Sequence, residues 1–581
     1  MSFYNLQLIL VRYITELLDN DIDTINWLSS CKHFYDFRDQ ITFDKFPNYY
    51  YSINVNKIQA NSTTLPKRFK NLYIKPQDSI INSINDIFSN YGIDKCLYQQ
   101  SSDQTKLLRL PDSTSISKLE LSFHVIDELS IPNTVKELVL NHVQFEWRYI
   151  PESVTSLFVD SLTIDGPLKV NLKKLVFTSI FNQEIRDDTF PPSITYLDLG
   201  VSFNYNISID ILPPNLQHLI LGNSFNSSVL SLPTSLVTLH LPSFTPPDLG
   251  IYPVALQELK LQNLKCINSI GLLSNLIKLE LKQFDEDLAE GVLPLTLQEL
   301  ILPKFSKVLH PGSIPHSVTH LTLYFYHTIN NSCALPLSLK SLVLVNQNQA
   351  LIPSTILNDH KFERLLARFS LHNIRSIDQL PNTLKYLELG MNAICEISEG
   401  VLPETLEEIV FTSYFDQAYN KRLYTNPIFV HLKNLRILKT CWQVKETLED
   451  NLPEGLKEFH LTTIDYDLLQ SLPKGLEILI CKNAIIDPTM RYTSIYDFTV
   501  ELGKGLFPPS LLKLDLGAFF KATLTEGSLP PLLESIRFNS QYHQKFQENT
   551  FPSTLKRIYI SEKCLKNIES MLPPYCKINF I

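Results

Sequence analysis

Residues that could do chemistry are plentiful in this 581-residue chain, but their spacing puts few of them to use. Fourteen histidines are dispersed, and no H-E-x-x-H pair offers two ligands to a zinc ion. Nine cysteines run from Cys31 to Cys576 without one C-x-x-C pair, so neither a zinc site nor a redox dithiol is written here. Neither a G-x-S-x-G elbow nor a G-x-G-x-x-G loop occurs. Gly503-Lys504-Gly505 comes nearest to a phosphate loop, yet Phe498 stands where a Walker A loop needs its first glycine. The expectation is therefore no enzyme, no catalytic residue, no cofactor and no metal. The chemistry left is recognition, by side chains that a regular scaffold turns outward. His218, His240, Lys260, Glu280, His320 and Tyr324 are the candidates, and what nominates them is the scaffold itself.

That scaffold is plainest from Phe190 to Gln262, where one pattern is written four times: FPPSITYLDLG, LPPNLQHLILG, LPTSLVTLHLP and YPVALQELKLQ. The anchors are Pro191, Pro213, Pro233 and Pro253, separated by 22, 20 and 20 residues by subtraction. Three, six and eight residues after each come apolar side chains, for example Leu216, Leu219 and Leu221. The last two are two apart, so on an extended segment they point the same way into a core. Proline fixes φ and lacks a donor, which suits a turn leading into that strand. One such repeat cannot bury its leucines alone; stacked, the repeats form a parallel strand ladder. L-x-x-L-x-L at this period predicts an α/β solenoid of the leucine-rich-repeat type. Positions five, seven and nine after each anchor then face outward, which selects the six residues above as a partner-binding concave face. Like positions in neighbouring coils would lie about 4.8 Å apart. Glu258, Lys278 and Glu299 then make an alternating charge ladder, as does Lys260 against Glu280, whose effect on stability is modest.

Composition agrees with a folded binding protein. Hydrophobic content is 44% and charged content 19%, which excludes an intrinsically disordered chain. The formal net charge of -9 is mild for this length and argues against nucleic acid or an anionic membrane as the main partner. No apolar run approaches the roughly 20 residues that span a bilayer. Scattered cysteines read as buried thiols of a reducing compartment, with Cys564 and Cys576 the only candidates for a terminal pair. The first residues lack a basic run and a cleavage site, so a cytoplasmic or nuclear location is expected.

Three regions follow. Residues 1–45 carry Leu6, Leu10, Ile14 and Leu17 at helical spacing, then an acidic turn from Asp19 to Asp23, without proline. They predict two or three short helices packed as a module. Residues 46–110 are irregular: Pro66, Phe69, Leu72 and Ile74 make one atypical repeat, and Ile80 to Leu97 reads as an irregular or helical insertion. Residues 111–581 form the solenoid. Some repeats there lack the proline, and Leu172-Leu175-Phe177, Leu276-Leu279-Leu281 and Leu366-Phe369-Leu371 are read as such. Longer gaps, the greatest at Asn483 to Gly505, carry extra loop residues.

Two resemblances complete the reading. Several repeats add a mark after the strand: Phe181-Asn182-Gln183, Phe203-Asn204, Phe225-Asn226 and, as an echo, Phe415-Asp416-Gln417. The resulting L-P-x-S-[LI]-x-x-L-x-L-G-x-x-F-N resembles the FNIP repeat, a variant leucine-rich repeat. In this pattern the phenylalanine is expected to plug the convex side, and the asparagine to bond backbone groups of the neighbouring coil. Near the start, L-S-S-C-K-H-F-Y-D-F from Leu28 to Phe37 resembles the second half of an F-box, although Asn5-Leu6 stands where that family usually opens with Leu-Pro. The resemblance implies that Leu6, Leu10, Ile14, Ile25, Leu28 and Phe34 build the module and in part face a cullin-ligase adaptor. The chain would then be the substrate-recognition subunit of a ubiquitin ligase. The alternative is a stand-alone scaffold whose N-terminal helices only cap the solenoid.

Overall fold

Each coil is built from one turn and one strand, and the hydrogen bonds show why the sequence repeats as it does. Pro213 accepts the N–H of Leu216 at 3.1 Å, closing a turn whose φ the proline ring has already set. The same closure joins Pro191 to Ile194, Pro233 to Leu236, Pro403 to Leu406 and Pro552 to Leu555, at 3.0–3.2 Å. The next two amides reach back one coil: Gln217 and His218 both donate to the Thr195 carbonyl, at 2.8 and 3.0 Å. The hydroxyl two residues after the proline also reaches back. Ser193 donates to the Leu172 carbonyl at 2.7 Å, Ser235 to Leu216 at 2.8 Å and Thr405 to Leu384 at 2.8 Å. Further down the chain Ser510 donates to Leu476 at 2.6 Å and Thr554 to Leu533 at 3.0 Å. The serine or threonine of L-P-x-S thus satisfies a carbonyl that the turn would otherwise leave without a donor.

The computed structural model describes strands at 71–74 and 95–99 and then residues 115–580, apart from short gaps and the loops 123–130, 244–251, 325–333, 346–359, 368–379, 390–399, 413–427, 441–450, 485–500 and 562–567. The chain divides into two units, Met1–Cys266 and Ile267–Ile581. In the first, parallel strands run in order from Asn71–Ile74, Lys95–Gln99 and Lys118–Ser122 to Thr238–Leu241 and Glu258–Leu261, each beside the next. In the second, the same ladder runs from Lys278–Leu281 to Lys577–Phe580. Glu501–Leu502 and Thr523–Leu524 pair separately as a short parallel rung. Each unit is thus a parallel-strand solenoid whose coils repeat at about the proline spacing.

Strand register puts leucine over leucine: Leu219 pairs between Leu197 and Leu239, and Leu321 between Leu300 and Leu342. All six of these side chains are buried. From the strand residue Phe177 through Phe181, Phe203 and Phe225 runs a buried stack, with neighbouring centroids 4.0, 5.8 and 6.0 Å apart. Beside it runs the asparagine ladder expected of this pattern: Asn182 accepts the Asn204 N–H at 3.0 Å, and Asn204 accepts the Asn226 N–H at 2.7 Å. The second unit repeats the device with other letters, where Phe284 stacks on Phe305 and Asp285 accepts the Ser306 N–H at 2.6 Å.

Four expectations need correction or placing. The helical half of an α/β solenoid is nearly missing among the described residues. They hold one five-residue α-helix, Tyr466–Gln470, and the 3-10 turns Trp147–Tyr149 and Ile267–Leu272. A coil of about 21 residues, less its turn and strand, leaves a return path too short for a packed helix of ordinary length. The supposed insertion from Ile80 to Leu97 runs into a ladder strand, Lys95–Gln99, whose rung is Cys96 and not a leucine. Of the supposed triplet Leu366-Phe369-Leu371, the last two lie outside the described residues and Leu366 is out of register: Leu365 and Ala367 enter the core behind Phe362, while Leu366 lies on the other side of the strand. A small alanine at a core position hid that coil. The N-terminal helical module, with Leu6, Leu10, Ile14, Ile25, Leu28 and Phe34, lies outside the described residues, as do Phe415, Cys564 and most of the Asn483–Gly505 loop. Cys481 and Cys576 are buried thiols, and burial pushes the Cys576 thiol up to about 12.

Candidate functional site: the open face of the ladder

Alternation along each strand sends its second and fourth residues into the core and its first and third outward. The outward rows are where this sequence spends its ionic and aromatic side chains. In the first unit the Lys174 ammonium lies 4.5 Å from the Tyr196 ring centroid and 5.0 Å from that of Phe158, a shared cation–π seat. Tyr196 then meets the His218 ring at 5.5 Å. In the adjacent row Asp198 accepts the Gly200 N–H at 2.9 Å. Burial raises the Asp198 carboxyl above its ordinary range, opposed by that hydrogen bond and by the fields of His240 and Lys174. His240, two coils further on, bonds the Glu258 carboxylate at 3.0 Å. The set is an acid, a histidine and a second acid, with Ile220 between the first two in the row.

The second unit writes the same set in reverse order. His460 bonds Glu458 at 2.6 Å, and Ile480 separates it in its row from Asp515. Asp515 accepts the Gly517 N–H at 3.1 Å, and burial raises its carboxyl as it does that of Asp198. Lys439 bridges Glu408 and Glu458 at 3.1 and 4.0 Å. Midway along this unit Arg364 lies 3.7 Å from the Tyr386 ring, whose hydroxyl donates to the buried Glu388 at 2.9 Å. That bond and burial of the ring raise the phenol far above its usual range, burial being the larger cause. Among the described residues no group of histidines, cysteines and acids is placed to hold a metal ion.

Of the six nominated residues, His218 and His240 fall on adjacent strands of the first unit, Lys260 is on the same strand as Glu258, and all three are partly exposed. Glu280, His320 and Tyr324 belong to the second unit. His320 is exposed and shares a hydrogen bond with the Thr319 hydroxyl at 2.9 Å, whereas Tyr324 sits 5.3 Å under the Lys304 ammonium. The expected charge ladder is present between Lys278 and Glu299, at 3.1 Å. Of the two richest sets, the one around Asp198 was nominated only through its histidines, and the one around Asp515 not at all. The signal was available, since both follow from the same offset of five and seven residues applied beyond the middle coils.

One consequence concerns acid. Burial, partly offset by Glu458, lowers the basicity of His460. The unfolded chain therefore takes up that proton first, and stability is lost as pH falls below the ordinary histidine value of about 6.5. The raised carboxyls of Asp198 and Asp515 act the other way, adding stability as pH falls from their raised values towards about 3.9. His460→Gln should thus lose less melting temperature between pH 7.5 and 5.5 than the natural chain. An equal loss, read by calorimetry, would mean that His460 is not the group involved.

With this geometry in place, comparison with known proteins adds the following. The family model for the FNIP Repeat matches residues 168–202, 181–224, 203–244, 284–326, 373–421 and 520–563, so the chain carries FNIP repeats in both units. No curated protein matches the chain. Among solved structures, CroV588, described as a novel circular LRR protein, is 19% identical over 88% of this chain and 98% of its own, with a TM-score of 0.42. YopM from Yersinia enterocolitica WA-314 is 16% identical over 92% of this chain and 100% of its own, with a TM-score of 0.31. TLR13, in a complex with ssRNA13, is 14% identical over 88% of this chain and 75% of its own, with a TM-score of 0.33.

Proposed function

We propose, for a chain that carries FNIP repeats, a protein-binding scaffold whose partner docks on the open ladder face. One observation carries the reading. The outward rows hold charged and aromatic groups that the leucine core does not require, and two of them, Asp198 and Asp515, are kept half-buried at a cost in solvation. Desolvated acids beside histidine and lysine are set up to meet donors on a partner, as interface groups do. The sharper form makes the chain the substrate receptor of a cullin-type ubiquitin ligase, docked through residues 1–45. Cys31-Lys32-His33-Phe34 supports it. The alternative is a scaffold without a ligase, its first residues serving only as a cap, and Asn5-Leu6 in place of Leu-Pro supports that. Either protein would work in the cytosol or nucleus, where its dispersed thiols stay reduced.

Affinity purification of the full chain beside a version starting at Phe46, with mass spectrometry of what is bound, separates the two. Adaptor and cullin recovered only with the full chain support the receptor. Shared partners with neither component leave the scaffold alone. If Asp198→Lys and Asp515→Lys together leave every recovered partner unchanged, the open face is not the docking surface.

A further inference from the structure

One outward row of the first unit is apolar except for a single acid. Val139, Phe158, Val176, Asp198 and Ile220 follow one another across five paired strands, each partly exposed. A carboxylate between Val176 and Ile220 gives up solvation and gains no partner from its row. Asp198 accepts the Gly200 N–H at 2.9 Å, a service that an asparagine would do equally well. The two basic groups whose fields reach it are held elsewhere. Lys174 sits over the rings of Phe158 and Tyr196, and His240 is bonded to Glu258. Among the described residues no basic group forms an ion pair with Asp198. The second unit shows what the same Asp-Leu-Gly acid takes when the chain supplies it. Asp515 accepts its own glycine N–H, from Gly517, at 3.1 Å, but the next residue in its row is Arg537. The Arg537 Nε lies 3.9 Å from that carboxylate, and its guanidinium lies 5.6 Å from the Tyr559 ring centroid. In the first unit Ile220 stands in the place of Arg537. The rings are there all the same, Tyr196 and His218 in the adjoining row, 5.5 Å apart.

We propose that Asp198, with Ile220 beside it and the rings of Tyr196 and His218 in the next row, binds an arginine side chain from an extended segment of a protein partner, and that an apolar residue of the same segment rests on Val139 and Phe158. The proposal rests on the scaffold reading and adds the chemistry of the docked segment. Charge complementarity selects a cation for Asp198, and the pairing of Asp515 with Arg537 selects which one. A flat guanidinium stacks on a ring while offering a carboxylate two donors, as an ammonium cannot. Lys174 lies on the strand before Tyr196 and His218 on the strand after it, so the arginine comes in along the His218 strand, away from that ammonium. Two ladder spacings of about 4.8 Å separate Phe158 from Asp198, roughly the reach of three extended residues. The apolar residue therefore belongs three positions from the arginine.

The test uses the full chain and a fluorescein-labelled peptide, Leu-Gly-Ser-Arg-Gly-Ser-Leu, with anisotropy as readout. Its leucines stand three residues to either side of the arginine, so both chain directions are served. The peptide should bind saturably, and the same peptide with citrulline for arginine should bind at least about tenfold more weakly, the scale of a lost charge pair at an interface. Glycine in place of both leucines should weaken it about fivefold, for roughly half a leucine side chain buried. Asp198→Asn keeps an acceptor for the Gly200 N–H and removes the charge, so it should melt no lower than the natural chain and lose the peptide as the citrulline change does. Ile220→Arg sets beside Asp198 the guanidinium that Arg537 sets beside Asp515, and should shut the peptide out. Asp515→Asn is the control, since its acid is already met within the chain, and should leave binding unchanged. No binding by the natural chain, equal binding of the citrulline or the leucine-free peptide, or folded Asp198→Asn or Ile220→Arg chains that keep the peptide would each overturn the proposal. So would equal losses in Asp198→Asn and Asp515→Asn. If the natural chain ignores the peptide while Asp198→Lys with Asp515→Lys still costs it recovered partners, this inference falls and the docking face stands.

Discussion

Phe203→Ala should cost the first unit about 3–5 kcal/mol, the usual toll for deleting a fully buried phenylalanine. Phe203 has no exposed surface and is stacked on both sides, its ring 5.8 Å from Phe181 at 5° and 6.0 Å from Phe225 at 4°. Truncation therefore opens a void against two coils, and a solenoid has only nearest neighbours with which to close it. The leucines lie across the coil on strand backbones fixed by the ladder, so they are poorly placed to collapse into the gap. The measurement is a urea titration followed by far-ultraviolet circular dichroism, with Phe305→Ala as the matching change in the second unit, where Phe284 and Phe305 stack at 6.1 Å and 2°. A loss below about 1 kcal/mol in both would mean that the return path contributes little packing and that the strands alone hold the coil. Separate transitions for the two units are expected, because a repeat array need not unfold in one step.

How far the sequence could be read follows from which interactions are periodic. Proline, the lead-in residue and the paired core leucines recur because every coil solves the same turn and the same burial, so Pro213, Leu216, Leu219 and Leu221 were readable from spacing alone. Phe203-Asn204 was readable for the same reason, since the stack and the amide ladder need like residues in register. Substitution within a role was not readable. Cys96 and Ala367 fill leucine positions, and Asp285 with Ser306 does the work of the asparagines, so those coils escaped or slipped. The open face was readable as an offset and not as a site. Which cation meets which carboxylate depends on the coil next door, and the field of His240 reaches Asp198 from two coils away.

Gly200→Ala and Gly517→Ala carry the second large effect, and they link stability to the site. Both glycines close an Asp-Leu-Gly run, at φ of 75° and 64°, where an L side chain is strained. A Cβ on Gly200 would stand 2.7 Å from the Phe177 carbonyl oxygen, and one on Gly517 would run into the Lys482 carbonyl. In each case the obstacle is the backbone of an earlier coil, which cannot rotate away as a side chain can. The cost should be about 2–4 kcal/mol, the left-handed penalty plus displacement of a strand end. Gly291→Ala is the control, since its φ is 75° but a Cβ there meets nothing within 4 Å, leaving only about 1 kcal/mol. The two glycine amides also hold the Asp198 and Asp515 carboxylates, at 2.9 and 3.1 Å. Displacing them should release those acids from their half-buried seats, so partner capture should fall along with melting temperature. Equal costs at all three glycines would show that close approach of the coils is not what the Asp-Leu-Gly turn secures, and that φ alone selects glycine there. A cost confined to Gly200 and Gly517, with capture lost at temperatures where the chain is still folded, would tie the turn to the orientation of its acid.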